Sequence, residues 1–282
     1  MKFVVKQRLF LVGCPRSGTT LLQSLLAAHP QIYSFPESKF FQYLIPTYEP
    51  RRLALRIIAS RHLRTRLAEF FKDEIRHPEM LKLLPKIPLM REYTRRFINI
   101  LDSLTTEQGK SIWLEKTPEH IHYIDYIEKF VPGVKFIHIL RNGSDTVASM
   151  YEVTRKYPSK YWRQGWSIDT CLERWIDSVE ITRQHLHKSN HILVRYERLV
   201  ENPQSELQNL HKFMDIEFDE KMLQDYRIAA KQVSLEIEPW KAAVSEAIFK
   251  AKSQKFYEVF DESQQRYIVE RLSKVNLDDL NS

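Results

Sequence analysis

Cysteine, long apolar runs and nucleic-acid motifs are scarce or missing in this sequence, and each absence narrows what the protein can be. Two cysteines, Cys14 and Cys171, allow at most one disulfide in 282 residues and favour a reducing, cytoplasmic compartment. The N-terminal apolar pieces are interrupted at residues 6–8, so we expect neither a signal peptide nor a transmembrane segment. No zinc-ligand spacing, recognition-helix pattern or aromatic RNA-binding motif supports a nucleic-acid partner.

The composition is that of an ordinary soluble globular protein with a basic balance. Hydrophobic residues make up 43% of the chain and charged residues 28%. Lys and Arg exceed Asp and Glu by 43 − 36 = 7, which favours an anionic ligand or surface as a partner. The length is sufficient for one large core, and we predict a single domain over residues 1–282.

Short β-branched and aromatic segments alternate with longer helical patterns along the chain. The strand-like segments cover residues 9–12, 111–114, 134–140 and 191–196. Helical patterns cover residues 19–28 and 168–187. This alternation predicts an α/β fold with a central parallel sheet flanked by helices.

A mainly helical insertion is predicted at about residues 42–110. Leu63, Leu67, Phe70 and Phe71 are spaced as one apolar face of a helix. The same region contains six arginines, at positions 51, 52, 56, 61, 64 and 66. We favour a solvated basic face, with a lid or a docking surface for an acidic acceptor as the alternative.

The most informative stretch is GCPRSGTT, residues 13–20, directly after the first predicted strand. A strand that turns through glycine into a helix directs backbone N–H groups and the helix dipole at one point, which suits a phosphate or a similar anion. Thr19 follows Gly18 where a Walker A loop has lysine, and Arg141 ends a later strand where a magnesium-binding Asp is expected. These differences argue against an ordinary nucleoside triphosphatase.

The run PRSGTT resembles the 5′-phosphosulfate loop of sulfotransferases that use 3′-phosphoadenosine 5′-phosphosulfate (PAPS). The motifs are most similar to those of the carbohydrate and tyrosyl-protein branch, and the resemblance implies a P-loop-type three-layer fold. It also implies that the loop holds the donor, with Arg16 on the phosphosulfate. The loop residues concerned are Pro15, Arg16, Ser17, Gly18, Thr19 and Thr20.

Two further segments extend the resemblance towards the rest of the donor. Arg141 is followed eight residues later by Ser149, the spacing of the family's 3′-phosphate site, and an arginine fork suits phosphate. The run VRYERLVENP resembles the family's Tyr-Glu-x-Leu segment, which implies that Tyr196 lies near the adenine. Taken alone, Arg141 is equally compatible with a salt bridge and Tyr196 with a core position.

The resemblance also assigns catalytic roles. Glu37, in SFPESKFF, corresponds to the general base, and burial by the neighbouring phenylalanines is expected to help it accept a proton. Lys116, in WLEKTPEH, corresponds to the lysine that stabilises the transferred and leaving groups. The alternatives are a capping or salt-bridged Glu37 and an ordinary surface pair of Lys116 with Glu115. Pro118 stands where the cytosolic branch has a catalytic histidine, and we do not expect His120 to replace it.

The predicted function is therefore sulfuryl transfer from PAPS to a hydroxyl or amine, with Glu37, Lys116 and Arg16 as catalytic residues and without a metal. The alternatives are a P-loop kinase with an atypical loop, which requires Mg²⁺, and a non-catalytic nucleotide-binding module. A small molecule, sugar, glycolipid or peptide acceptor remains open, as does the oligomeric state.

Overall fold

A five-stranded parallel sheet forms the centre of the fold. The structure, a computed structural model, describes residues 4–157, 165–233 and 255–280. Within these ranges the strand order is β2-β3-β1-β4-β5, and each neighbouring pair is parallel. The strands are β1 (Gln7–Gly13), β2 (Ile32–Phe35), β3 (Ile112–Lys116), β4 (Val134–Leu140) and β5 (His191–Arg195). The predicted central parallel sheet is confirmed.

Fourteen α-helices are assigned in the described residues. Those before the third strand are α1 (Thr19–Ala27), α2 (Phe40–Leu44), α3 (Pro50–Leu55), α4 (Leu63–Glu69) and α5 (Met90–Glu107). Those between β3 and β5 are α6 (Ile124–Phe130), α7 (Gly143–Lys156) and α8 (Ile168–His185). The remainder are α9 (Tyr196–Glu201), α10 (Pro203–Met214), α11 (Lys221–Gln224), α12 (Tyr226–Val233), α13 (Lys255–Val259) and α14 (Glu262–Ser273). None of the described helices has the length and apolar content that crossing a membrane requires.

The sheet is buried on both faces, which explains why its strands are almost continuously apolar. Leu9 and Leu11 of β1 pack in the core under α1 and α10, whereas Phe10 and Val12 pack in the core under the insertion. Successive side chains of a strand point to opposite faces, so one strand supplies both cores.

Much of the segment from residue 42 to residue 110 is helical, and its apolar face is in the core. Leu63, Leu67, Phe70 and Phe71 are each at most 1% exposed. Phe70 and Phe71 begin a short π-helical segment, Phe70–Glu74, and Pro78–Leu83 forms a 3-10 helix. The assignment of the whole chain to one domain stays a prediction.

A chain of hydrogen bonds through two histidines joins β4, β5 and α6. His138 Nε2 lies 2.8 Å from His191 Nδ1, and His191 Nε2 lies 3.1 Å from Glu128 Oε1. The carboxylate only accepts, so a neutral His191 donates to it and accepts from His138. His138 Nδ1 then accepts from the Thr182 hydroxyl at 3.1 Å. In this arrangement both rings are neutral.

The surroundings of these groups shift their pKa values downwards. Burial lowers the pKa of His138 well below its usual value, and the neighbouring His191 adds to the effect. Burial lowers the pKa of His191 to about 4, although Glu128 acts in the opposite direction. Burial disfavours the charge of Glu128, but hydrogen bonds, first that from Lys188, outweigh it and lower its pKa to about 2.

The free energy of unfolding is therefore expected to fall as the pH is lowered. A histidine that is neutral when folded and has its ordinary pKa when unfolded gains a proton on unfolding. The neutral histidine stabilises the folded state fully above about pH 6.5. Below that pH the stabilisation declines by ~1.4 kcal/mol per pH unit, and for His191 the decline ends near its folded pKa of about 4. Glu128 continues the loss between its ordinary pKa of 4.5 and its folded pKa of about 2. Urea unfolding between about pH 7.5 and about pH 5 measures this slope.

The variant His191→Gln isolates the contribution of this chain. Burial also lowers the pKa values of His29, His122 and His211, so the wild-type slope contains several histidines. The variant is expected to remain folded and to take up about one proton fewer on unfolding than the wild type, which makes the dependence of its unfolding free energy on pH less steep. An unchanged slope in the variant would contradict a neutral buried His191.

Candidate active site

The predicted site residues come together where the parallel strands end. Leu11 of β1 pairs with Lys116 of β3, Gly13 pairs with Ile139 of β4, and β4 and β5 end together. The segments that follow these strands therefore meet at one edge of the sheet, which is where ligands bind in open α/β sheets. The residues collected there are Arg16, Glu37, Lys116, Arg141 and Tyr196.

The loop between β1 and α1 has the geometry of an anion site. Gly13 permits close packing, since a Cβ there would lie 2.5 Å from the carbonyl oxygen of Ile139. Arg16 and Gly18 have φ angles of 73° and 95°, and α1 begins at Thr19. No side chain caps this helix and no acidic residue lies in its first turn. Its free N–H groups and dipole therefore favour a negative group.

Tyr196, at the end of β5, packs directly on this loop. A Cβ on Gly18 would lie 2.3 Å from Cδ2 of the Tyr196 ring, so glycine is needed for this contact as well as for its φ angle. The guanidinium of Arg141 lies 4.6 Å from the centre of the same ring. Tyr196 thus lies between the loop and Arg141. The residue is half-buried, whereas a tyrosine in the core would be fully buried.

Arg141 lies just before α7, and Ser149 lies within that helix. Arg141 Nη2 donates to Asp145 at a long 3.4 Å, and its side chain is 15% exposed. Arg16 Nε donates to the Ser149 hydroxyl at 3.1 Å, so the loop arginine and the predicted 3′-phosphate serine are in contact. Two of the predicted donor-binding residues from separate motifs are therefore adjacent.

Two buried polar atoms at this place have no hydrogen-bond partner among the described residues. They are Ser17 Oγ in the loop and Arg141 Nε. Buried donors without a partner are rare, because each costs the free energy of its lost hydration. An anion between the loop and Arg141 would satisfy such donors, so the residues present fit a phosphate-bearing ligand.

Glu37 and Lys116 form a nearly buried ion pair beside the loop. Lys116 Nζ donates to Glu37 Oε1 at 2.5 Å, and the two side chains are 1% and 15% exposed. The alternative of Lys116 as an ordinary surface pair with Glu115 is wrong. The alternative of a salt-bridged Glu37 is realised, and its partner is the other predicted catalytic residue.

The chain around Glu37 is fixed by a residue of the insertion. Arg66 Nη2 donates to the carbonyl oxygen of Glu37 at 2.6 Å, and Arg66 Nε donates to that of Ser38 at 3.0 Å. Arg66 is itself paired with Glu74, to which Nη2 donates at 3.0 Å. The prediction of a solvated basic face is wrong for Arg66, which is 7% exposed, because its charge is used to hold this turn.

A second buried carboxylate supports the same turn. Glu115 is fully buried, and its Oε1 accepts from Ser38 N at 3.0 Å and from the hydroxyl of Thr117 at 2.6 Å. Its Oε2 lies 2.9 Å from His120 Nδ1. Burial works against its charge, but His120 and the hydrogen bonds outweigh burial and lower the pKa of Glu115. The carboxylate therefore holds the Glu37 turn against β3.

His120 has a structural role in this arrangement. Its Nε2 accepts from the backbone N–H of Phe41 at 3.3 Å, so its Nδ1 carries the proton that it donates to Glu115. The ring is fully buried, and both of its nitrogens are used. That His120 does not replace the missing histidine stays a prediction.

The phenylalanines next to Glu37 in the sequence lie in the core. Phe35, Phe40 and Phe41 are all fully buried, and Phe40 stacks on Phe97 of α5 at 4.1 Å. Sequence reasoning missed the supporting residues Arg66 and Glu115. A charged residue between Leu114 and Lys116 at a predicted strand end was the available signal for Glu115, whereas nothing local distinguishes Arg66 from its neighbouring arginines.

Comparison with known proteins agrees with this geometry. The model of the sulfotransferase family matches residues 8–220. Protein-tyrosine sulfotransferase A of Caenorhabditis elegans is 25% identical over 236 residues, covering 80% of this chain and 54% of the relative. Protein-tyrosine sulfotransferase 1 of Danio rerio is 28% identical over 228 residues, covering 79% and 57%. Together with an Aquifex aeolicus relative, these curated proteins are much longer, and the chain spans 27% to 57% of their length.

Solved structures with a similar fold are also sulfotransferases by name. The sulfotransferase domain from the curacin biosynthetic pathway has a TM-score of 0.61 at 18% identity, covering 97% of this chain and 98% of that domain. The sulfotransferase domain of the Synechococcus PCC 7002 olefin synthase has a TM-score of 0.59 at 19% identity, covering 96% of both chains. At these identities the similarity establishes the fold, and it confirms the predicted P-loop-type α/β class.

Proposed function

The chain belongs to the sulfotransferase family, and from that premise we propose that it moves a sulfuryl group from PAPS to a hydroxyl or amine of an acceptor. The observation that carries the proposal is the meeting of an uncapped P-loop-type helix start with Arg141 and the Glu37–Lys116 pair at one sheet edge. A direct transfer needs these elements together, namely an anion site, a base and a fixed positive charge.

The donor is held by backbone amides and fixed cations. The loop from Pro15 to Thr20 receives the 5′-phosphosulfate, with Arg16 as its cationic side chain. Arg141 and Ser149 receive the 3′-phosphate, and Tyr196 lies beside the adenine. The partnerless Arg141 Nε and the contact between Arg16 and Ser149 support this division of roles.

Glu37 acts as general base, and its pairing with Lys116 couples the two ends of the reaction. When the Glu37 carboxylate takes the acceptor proton, it loses the charge that neutralises Lys116. The ammonium is then available to stabilise the negative charge that grows on the leaving phosphate. A buried lysine at 1% exposure acts strongly because little water screens it.

The acceptor is proposed to present a hydroxyl, and a peptidyl tyrosine is the first acceptor to examine. The support is that relatives named protein-tyrosine sulfotransferases match most of the chain. We also propose the cytoplasm as the compartment. Both cysteines are free, and burial raises the pKa values of Cys14 and Cys171, so these thiols suit a core in a reducing environment.

Calorimetry with the spent donor, adenosine 3′,5′-bisphosphate, tests the proposal. With EDTA present, we expect it to bind at least about tenfold more tightly than AMP, because only it carries the 3′-phosphate. Transfer of labelled sulfate from PAPS to acceptors should also persist in EDTA. Equal affinity for AMP, or a requirement for ATP and Mg²⁺, would point to the kinase alternative instead.

A further inference from the structure

Exposed apolar side chains are concentrated on one outer face of the insertion. We call residues 48–57 and 82–91 the basic apolar face. Seven of the twelve exposed large hydrophobic residues among the described positions lie in these two short segments. They are Tyr48 (95% exposed), Leu53 (41%), Leu55 (55%), Ile57 (58%), Leu83 (50%), Ile87 (67%) and Leu89 (37%). Clusters of this kind are uncommon on proteins that contact only water.

The two segments are adjacent in space. Met90 N donates to the carbonyl oxygen of Ile57 at 2.8 Å, and Ala59 N donates to that of Pro88 at 2.7 Å. Ile58 and Leu89 are paired in an antiparallel bridge between these bonds. The end of the first segment, with Ile57, therefore lies beside the end of the second segment, with Leu89.

Helix α3 is held to the protein by polar contacts, because Arg52 donates to the carbonyl oxygen of Ala59 at 2.7 Å and pairs with Glu49. None of its six residues, Pro50–Leu55, is buried. A helix this short is marginal in water without a partner surface, since nucleation is costly and few hydrogen bonds repay it. Its Leu53 and Leu55 are available for a surface outside the chain.

The charges on this face have a single sign. Arg51, Arg56, Lys82, Lys86 and Arg91 are exposed. The one acidic residue of the two segments, Glu49, has a side chain only 8% exposed and pairs with Arg52 and Arg61. The face thus offers apolar groups surrounded by cations, while the exposed carboxylates of Glu79, near Lys82, and Glu92, near Arg91, lie at its edge.

We propose that the basic apolar face binds the surface of a membrane that contains anionic lipids. Aliphatic side chains enter the boundary between headgroups and acyl chains, and the cations contact the headgroups. A second copy of the chain fits less well, because a two-fold interface places like charges opposite each other. Single-stranded nucleic acid fits less well too, since Tyr48 is the only aromatic residue in these segments on which a base can stack.

Vesicle co-sedimentation tests this proposal. Wild type is expected to bind phosphatidylcholine vesicles that contain phosphatidylserine and to bind pure phosphatidylcholine at least about tenfold more weakly. The triple variant Arg51→Gln, Arg56→Gln, Lys86→Gln should bind anionic vesicles about a hundredfold more weakly. The triple variant Leu55→Ser, Ile57→Ser, Ile87→Ser should also lose at least about tenfold, even at low salt.

Matched variants on the rest of the surface serve as controls. The charge control is Lys212→Gln, Arg266→Gln, Lys274→Gln, and the apolar control is Val4→Ser, Ile228→Ser, Val269→Ser, all at exposed positions. Both controls are expected to bind like wild type, and thermal unfolding shows whether each variant is folded.

Three results would overturn the proposal. The first is a wild type that binds neither kind of vesicle, and the second is a control variant that loses as much binding as its matched test variant. The third is an apolar variant that binds like wild type while polyglutamate competes fully with the vesicles. That result would assign the face to an acidic protein partner instead. Because the assay contains no PAPS and no acceptor, its outcome is independent of the proposed sulfuryl transfer.

Discussion

Glu37→Gln is expected to reduce kcat for sulfuryl transfer by about a hundredfold to ten-thousandfold, the usual contribution of a general base. Glutamine has nearly the same shape and still offers an oxygen to the Lys116 ammonium, which lies 2.5 Å from Glu37 in the wild type. It has no basic oxygen that can take the acceptor proton. Measuring kcat with labelled PAPS and donor affinity by calorimetry separates an effect on the transfer step from an effect on donor binding.

A purely structural role for Glu37 would give a different pattern. If Glu37 only kept Lys116 in place, Glu37→Gln would lower the melting temperature and weaken binding of adenosine 3′,5′-bisphosphate together with kcat. If Glu37 is the base, the variant should lose kcat while its affinity for the donor remains within about threefold of wild type. The reason is that a base acts in the transition state and not in donor binding. The matched control is Glu79→Gln on the exposed part of the insertion, which should be fully active. Unchanged kcat in Glu37→Gln would refute the assignment.

Arg141→Ala is expected to weaken binding of adenosine 3′,5′-bisphosphate by about a hundredfold or more. Each hydrogen bond to a charged group contributes ~1.5–3 kcal/mol, and a guanidinium fork makes two of them with one phosphate. AMP lacks the 3′-phosphate, so its affinity should change only a few-fold. The ratio of the two affinities should therefore collapse, which calorimetry measures directly. Arg141→Lys should be intermediate, because lysine keeps the charge but not the fork.

The alternative for Arg141 is support of the loop through the ring of Tyr196, over which its guanidinium lies at 4.6 Å. In that case Arg141→Ala would weaken binding of AMP and of the bisphosphate by the same factor. Arg271→Ala is the matched control, since this arginine of helix α14 pairs with Asp169 of helix α8. It should leave both affinities unchanged.

Four of the five described strands and helices α1 and α8 were largely predictable, because their signals are local. Predicted strands at residues 9–12, 111–114, 134–140 and 191–196 correspond to β1, β3, β4 and β5. The predicted helix at 168–187 corresponds to α8, Ile168–His185. Strand β2, Ile32–Phe35, was missed. The sulfotransferase family predicted from the loop is confirmed, whereas the site roles stay predictions.

By itself, the order of residues determined the anion loop, the helix that starts at it and the Arg141 to Ser149 spacing, since each depends on neighbours within about two helical turns. Only the tertiary structure decided that Glu37 pairs with Lys116, 79 positions away, and that Arg66 alone among its neighbouring arginines is buried against the Glu37 turn. The physical reason is that the register of parallel strands and the packing of the insertion bring these groups together. Such contacts depend on residues far apart in the chain and leave no periodic signal within either segment.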